Sequence, residues 1–488
     1  MAKIDLTVYE DKLKGAVRRA RERNIIIPTF AQQKDPSKVP ASVKEELSRI
    51  GLWDITSRNL FRITWKNEPV AFGGGYGGVN FMELPSSLTG VPCRIIALVG
   101  KWFPTGAHKV GATYGCLVPR LVTGQFDPEV QKAVWPSTGN YCRGGAYNAT
   151  LLACESIAIL PEGMSRERFD WLKKVAGEVI ATPGTESNVK EIFDKCWELR
   201  ASGEPLVIFN QFDEFGNYLW HYEVTGHAIE EVLQKVMRKD DRYFGVALTT
   251  GSAGTIGCGD YLKQIFPNSR VVASEALQCP TLLQNGYGAH RIEGIGDKHV
   301  PWIHNVKNTD MVVAIDDNAV GNLARLFNEK TGHEYLVKQG VPQDVVESLE
   351  LLGFSSIANL LSTIKMAKYY ECDENDVLFT VFTDSMELYL SRLTEMHKEI
   401  GEYTSIDAAG HFNRYLLGES TDNLEELTYA ERRRVHNLKY YTWVEQQGKT
   451  YEEIMDQWYE KDYWTDVQEQ VEDIDELIIE FNKRVGLI

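Results

Sequence analysis

The sequence predicts an α/β fold built on a buried, mostly parallel sheet, and three observations predict it. Short apolar runs rich in Val and Ile recur between about residues 70 and 396: CRIIALVG, ESIAILP, GEVIATPG, PLVIFNQ, YFGVALTTG, SRVVASEA and DVLFTVFTD. Helix-length amphipathic segments separate them, the pattern of strands covered on both faces. Glycine-containing turns stand where several of these runs end, and open α/β sheets place their ligands there.

The 488 residues allow two or three domain-sized units, or one large core with extensions. Hydrophobic residues make up 43% and charged residues 25%, an ordinary globular composition. Against 52 basic residues stand 69 acidic ones, a balance of −17 that disfavours nucleic acid or an anionic membrane as partner. Small molecules or other subunits are the expected partners. The N-terminus, MAKIDLTVYEDKLKGAVRRARER, has basic residues with no apolar run behind them, and no stretch is apolar enough to span a bilayer, so a cytoplasmic location is expected. Eight scattered cysteines without a C-x-x-C pair or Cys/His cluster disfavour a disulfide framework or a metal site.

The flanks differ from this centre. Residues 1–60 are mostly polar, with a surface helix expected over Asp5 to Arg23. Residues 400–488 are acidic, rich in Trp and Tyr and poor in glycine, and apolar residues recur at three and four over Thr450 to Tyr459 and Val467 to Arg484, which predicts helices. An oligomer contact or a lid is the expected role, rather than a separate functional domain.

Three turns carry the chemistry. Gly251-Ser252-Ala253-Gly254-Thr255 follows the strand-like YFGVALTT and precedes a plausible helix, so its backbone N–H groups would suit an anion. It has neither the Lys of a P-loop nor a dinucleotide fingerprint, which leaves a single phosphate or an ordinary strand-to-helix turn. Lys109 ends the small-residue turn Pro104 to His108; drawn inside it would be an amine nucleophile or Schiff-base former, and left outside it is a surface charge. Ser137-Thr138-Gly139-Asn140 offers hydroxyls, an amide and backbone donors for a substrate carboxylate, or simply caps the helix that follows. A phosphate cup, an activatable lysine and a carboxylate nest on one sheet describe a site for pyridoxal phosphate and an amino acid.

From about residue 90 to 395 the chain resembles the fold-type II pyridoxal-phosphate enzymes, most closely the cysteine synthase and cystathionine β-synthase family. The lysine turn, the S-T-G-N loop, PEGMSRERFDWLKKVAGEVIATPG, FNQFDEFGN, GSAGT, GAHRIEGIGDKHVP and VFTDSMELYLS come in that family's order. The resemblance implies two three-layer αβα lobes with the cofactor between them: a small lobe over about 100–215 and a large one over 61–99 and 216–399. Helical extensions flank this core, and a homodimer is implied. It also implies that Lys109 carries the cofactor and moves the substrate's Cα proton, and that Gly251 to Thr255 hold the phosphate. Asn140 would bond the cofactor's 3′ oxygen. Ser137, Thr138, Gly139, Tyr141 and Gln211 would bind substrate, Ser385 would face the pyridine nitrogen, with the adjacent Asp384 as its rival, and Gly294 and Gly296 would lie near the site's mouth.

Two features depart from that pattern. The turn Thr105-Gly106-Ala107-His108-Lys109 is similar to that of the tryptophan synthase β subunit, and Tyr141 stands where cysteine synthases usually have threonine. Nearby, Arg143 would bind a second anionic group or face solvent, and Cys142 would be a nucleophile or a buried, inert thiol. The expected activity is β-elimination or β-replacement on serine, O-acetylserine or cysteine through an aminoacrylate. An ammonia-lyase or threonine-synthase-like reaction is the alternative, and a catalytically silent scaffold the remote one.

Overall fold

The structure is a computed structural model that describes residues 3–296 and 298–487; Asp297 of the GIGDKHV segment, and the outermost residues of the two flanks, lie outside the described residues. Two sheets organise the chain. The larger runs in the order β1 (Phe81–Leu84), β2 (Arg94–Val99), β10 (Asp376–Phe382), β7 (Arg242–Thr249), β8 (Arg270–Ala276), β9 (Met311–Ile315) and β11 (Leu424–Glu426). Its interior pairs are parallel, and only the short edge strands β1 and β11 run antiparallel to their neighbours. The smaller sheet is wholly parallel, in the order β5 (Glu178–Thr182), β4 (Ser156–Pro161), β3 (Lys132–Pro136) and β6 (Leu206–Ile208).

Continuous apolar runs form these strands because both faces of the large sheet are covered. In β2, Ile95, Ala97 and Val99 join one apolar core while Ile96 and Leu98 join the other, the period of two that the pleat imposes. β10 lies between β2 and β7, and all seven of its residues are buried. The edge strand β5 instead exposes Glu178 and Ala181.

The flanking segments fold onto this core and onto each other. In the helix Gln470–Val485, Asn482 exchanges hydrogen bonds with the backbone of Ile27 at 3.0 and 2.8 Å. Asp475 of the same helix accepts from the N–H groups of Phe30 and Ala31 at 2.6 and 3.0 Å, capping the short helix Phe30–Lys34. Lys439 is fully buried and donates to the carbonyls of Trp302 and His304 and to Gln457 Oε1, at 2.8, 2.9 and 2.6 Å. The segment beyond residue 400 is mostly helical, including Tyr451–Tyr459, and it also contributes β11 to the large sheet. Among the described residues, no helix is long and apolar enough to cross a membrane. All eight cysteines are buried.

Candidate active site

A narrow cleft opens where strands of both sheets end, and its wall gathers His108, Lys109, Ser137, Thr138, Asn140, Tyr141, Gln211, Gly251, Ser252, Ala253 and Thr255 from four distant stretches of chain. Lys109 is the first residue of the helix Lys109–Val122. The turn before it is anchored to the end of β10: Ala107 pairs with Asp384, and the His108 N–H donates to the Thr383 carbonyl at 3.3 Å. Thr105 and Gly106 both have left-handed backbone, and a Cβ on Gly106 would stand 2.6 Å from the Trp53 ring, so the tight turn and the close ring both require glycine there. Burial first, and the charge of Lys109 second, hold His108 well below the usual imidazole range, so it is a neutral neighbour.

The phosphate cup leads from β7 into the helix Ile256–Ile265. None of the N–H groups of residues 251–255 donates to an acceptor among the described residues, and Ala253 adopts the left-handed conformation. Such a row of unfilled donors at a helix start is a ready anion site. Ser252 Oγ accepts from Lys109 Nζ at 2.8 Å and from Asn217 Nδ2 at 3.0 Å. Asn217 Nδ2 also donates to the Gln211 carbonyl at 3.0 Å, which ties the cup to the small-lobe side. A side chain on Gly254 would overlap Asn217 Oδ1; its α-carbon meets that amide and leaves only its backbone to the cup.

The opposite wall is the S-T-G-N loop. Gln211 Nε2 donates to Ser137 Oγ at 3.2 Å, and the Thr138 hydroxyl donates to Glu186 Oε1. Asn140 Nδ2 donates to Asp384 Oδ2 at 2.5 Å, which leaves its second N–H for a ligand. Asp384 also accepts from the Tyr389 hydroxyl at 2.6 Å, and Arg168 reaches that hydroxyl at 2.8 Å. Arg168 is fully buried and donates at 2.9 Å to the Thr138 carbonyl and pairs at 2.9 Å with Glu293. Burial alone would lower this guanidinium, yet Tyr389, Glu293, Glu186 and Asp384 around it hold it charged.

Three expected site residues stand outside the cleft wall. A Cβ on Gly139 would collide with the Arg168 guanidinium, and its N–H is taken by Ser137 Oγ at 3.2 Å, so the glycine makes room for Arg168. Gly254 is set back against Asn217. Ser385 begins the short turn after β10, with its Oγ buried and unfilled, and Thr383, two residues before it, lines the cleft. Asp384, its rival, is also set back, bonded to Asn140 and Tyr389. Gly294 does line the cleft. Tyr141 does too, with a buried hydroxyl beside the Cys116 thiol.

Arg143 corrects a further expectation, because it does not face solvent: it is 2% exposed, stacks 4.8 Å from the Trp171 ring, and is pushed down to about 10 by burial. Cys142 is an inert thiol, pushed up to about 12 by burial and donating to the Gly139 carbonyl at 2.9 Å. Thr249, Asn359, Thr383, Asn217 and Glu186 complete the site without having been singled out from the sequence. A strand-end rule finds Thr249 and Thr383, at the ends of β7 and β10; nothing local marks the others.

Fold and cleft together define an enzyme of the pyridoxal-phosphate type. Residues 91–334, half of the chain, match the pyridoxal-phosphate dependent enzyme family, and the chain belongs to it. It is 29% identical over 290 residues to a probable cysteine synthase of Bacillus subtilis, across 59% of this chain and 85% of that protein. To the cystathionine beta-synthase of Saccharomyces cerevisiae it is 25% identical over 322 residues, across 64% of this chain and 60% of that one. A solved cysteine synthase from Entamoeba histolytica shares the fold with a TM-score of 0.56 at 22% identity, across 69% of this chain and 93% of that one. An O-acetylserine dependent cystathionine beta-synthase from Helicobacter pylori does so with a TM-score of 0.54 at 23% identity, across 64% and 94%.

The cofactor of this family, pyridoxal phosphate, fits the residues present. The unfilled N–H groups of 251–255 suit its phosphate, the second Asn140 N–H suits an oxygen, and Lys109 stands between them within reach of the cup through Ser252.

Proposed function

We propose that the protein catalyses β-elimination or β-replacement on a small L-amino acid of the serine, O-acetylserine or cysteine type. The observation that carries this reading is the convergence in one cleft of Lys109, the unfilled donors of 251–255 and the neutral donors Ser137, Thr138 and Gln211. When bound, pyridoxal phosphate supplies the electron sink that acidifies the substrate's Cα–H. The chain's own part is to hold the phosphate with backbone amides and to hold the substrate carboxylate with Ser137, Thr138 and Gln211. Lys109 Nζ then takes the proton from Cα. Around Thr249, Asn359 and Thr383 the wall is neutral, which favours loss of a β-substituent over storage of negative charge.

The relatives named as cysteine synthases support a sulfur nucleophile for the replacement step. Eight scattered cysteines without a C-x-x-C pair support a reducing, cytoplasmic setting, and the family resemblance supports a homodimer. Product analysis tests the reading. With L-serine or O-acetyl-L-serine and sulfide, cysteine is expected; oxo acid and ammonia from threonine or serine, unaffected by sulfide, would replace this reading with an ammonia-lyase.

A further inference from the structure

Glu186 lies in the loop between β5 and the helix Val189–Ala201. It is 2% exposed, and it is the one carboxylic acid among the described residues of the cleft wall. It also lines a second, outer cavity of about 440 Å³ that includes Met164, His290, Phe354 and Arg392, so both cavities share it. Its two oxygens are in different states. Oε1 accepts from the Thr138 hydroxyl, while Oε2 has no partner of full hydrogen-bond geometry among the described residues, the Gly294 N–H lying beside the carboxyl. The Arg168 guanidinium is 3.8 Å from Oε2, but the same nitrogen is already committed at 2.9 Å both to the Thr138 carbonyl and to Glu293.

A buried carboxyl with one unfilled oxygen, held by the loop proposed to bind the substrate carboxylate, is equipped to give up a proton inside the cleft. An ionised group there would repel the substrate carboxylate, so the neutral acid is also the form compatible with binding. The charged groups facing it are Arg168, from the helix Arg166–Val175, and Glu293, from the loop before β9. Burial pushes Glu186 up, Arg168 opposes, Glu293 adds, and hydrogen bonds from Thr138 and the Gly294 N–H lower it in part, leaving it at about 8.

We propose that Glu186 is the general acid that protonates the departing β-oxygen, and that the donor is therefore a β-hydroxy amino acid, L-serine, rather than an ester of it. The inference rests on the β-elimination reading above. In the step, Lys109 takes the Cα proton, the Cα–H electron pair becomes the Cα=Cβ bond, and the Cβ–O bond breaks with its pair on oxygen. The proton from Glu186 turns that oxygen into water, and solvent in the outer cavity returns a proton to the carboxylate. Hydroxide is a poor leaving group and needs this proton; acetate does not.

The test compares the wild-type and Glu186→Gln holoenzymes with L-serine and with O-acetyl-L-serine, after the cofactor absorbance band has shown that both are loaded. Expected is a fall of roughly 10²-fold or more in kcat with L-serine and a change of only a few-fold with the ester. Wild-type turnover of L-serine should fall as pH rises through about 8, and turnover of the ester should not. A protonated-carboxyl infrared band that fades over the same pH range in the cofactor-free wild type, and is missing from Glu186→Gln, reads the group without any turnover. If the wild type turns over serine and the variant slows both donors equally, or if the band is absent at neutral pH, the Glu186 assignment is overturned and the β-elimination reading stands. If the wild type turns over neither donor, that reading falls and takes the assignment with it.

Discussion

On the large-lobe side of the cleft, the wall is made of backbone amides at 251–255 and of Thr249, Asn359 and Thr383, none of which ionises in the ordinary pH range. On the small-lobe side, the S-T-G-N loop is backed by Glu186, Arg168, Glu293 and Asp384, all buried and all interacting. The contrast teaches a division of labour. A dianionic phosphate can be held by dipoles alone, at a strength that no protein proton changes. The substrate side must accept a carboxylate and move protons, so it is built from groups whose charge depends on one another.

The largest expected effect breaks the charged side. Arg168→Met removes the one cation shared by Glu293, Asp384 and Glu186, and should cost about 3–5 kcal/mol of stability in urea unfolding, because the buried Arg168–Glu293 pair is broken and Glu293 keeps only Arg392, at 2.6 Å. A loss below about 1 kcal/mol would mean that the network does not hold the two lobes together.

Next comes the neutral side. Gly254→Ala forces a methyl group onto Asn217 Oδ1 and should weaken cofactor binding by about 1–3 kcal/mol, read by titrating pyridoxal phosphate into the cofactor-free protein. Unchanged affinity would show that Asn217 does not brace the cup.

The pH dependence of stability sharpens the comparison. Between 4.5, the usual glutamate value, and about 8, where Glu186 ionises in the folded chain, the folded protein holds a proton that the unfolded one has released. Stability therefore falls as pH rises through that window, at no more than about 1.4 kcal/mol per pH unit from this group. Glu186→Gln should flatten the slope by that share, whereas Asn217→Ala on the neutral side should leave it alone.

The smallest effect is expected of Ser385→Ala, whose hydroxyl lies outside the wall; Thr383→Ala should change the cofactor spectrum more. The reverse order would restore Ser385 to the site.

The sequence reveals the neutral side better than the charged one, and the reason is physical. The GSAGT cup and the lysine turn are local: each is a few consecutive residues at a strand end, and their backbone geometry follows from small side chains. The charged side is assembled from residues 138, 168, 186, 293, 384 and 389, which meet only once both sheets have formed. Arg143 shows the same limit, since its position at a helix start reads as exposed and its burial depends on Trp171 from another helix. For the fold, β2, β7, β8 and β10 are plain as long apolar runs, while β11 has three residues in a polar stretch and owes its strand geometry to β9.

The account rests on Lys109 as the residue that carries the cofactor. Reconstituting the protein with pyridoxal phosphate, reducing it with borohydride and mapping the labelled peptide tests this most directly. The account predicts a pyridoxyl group on Lys109, and none in Lys109→Ala. A label on another lysine, such as the buried Lys439, or no label in the wild type, would contradict it.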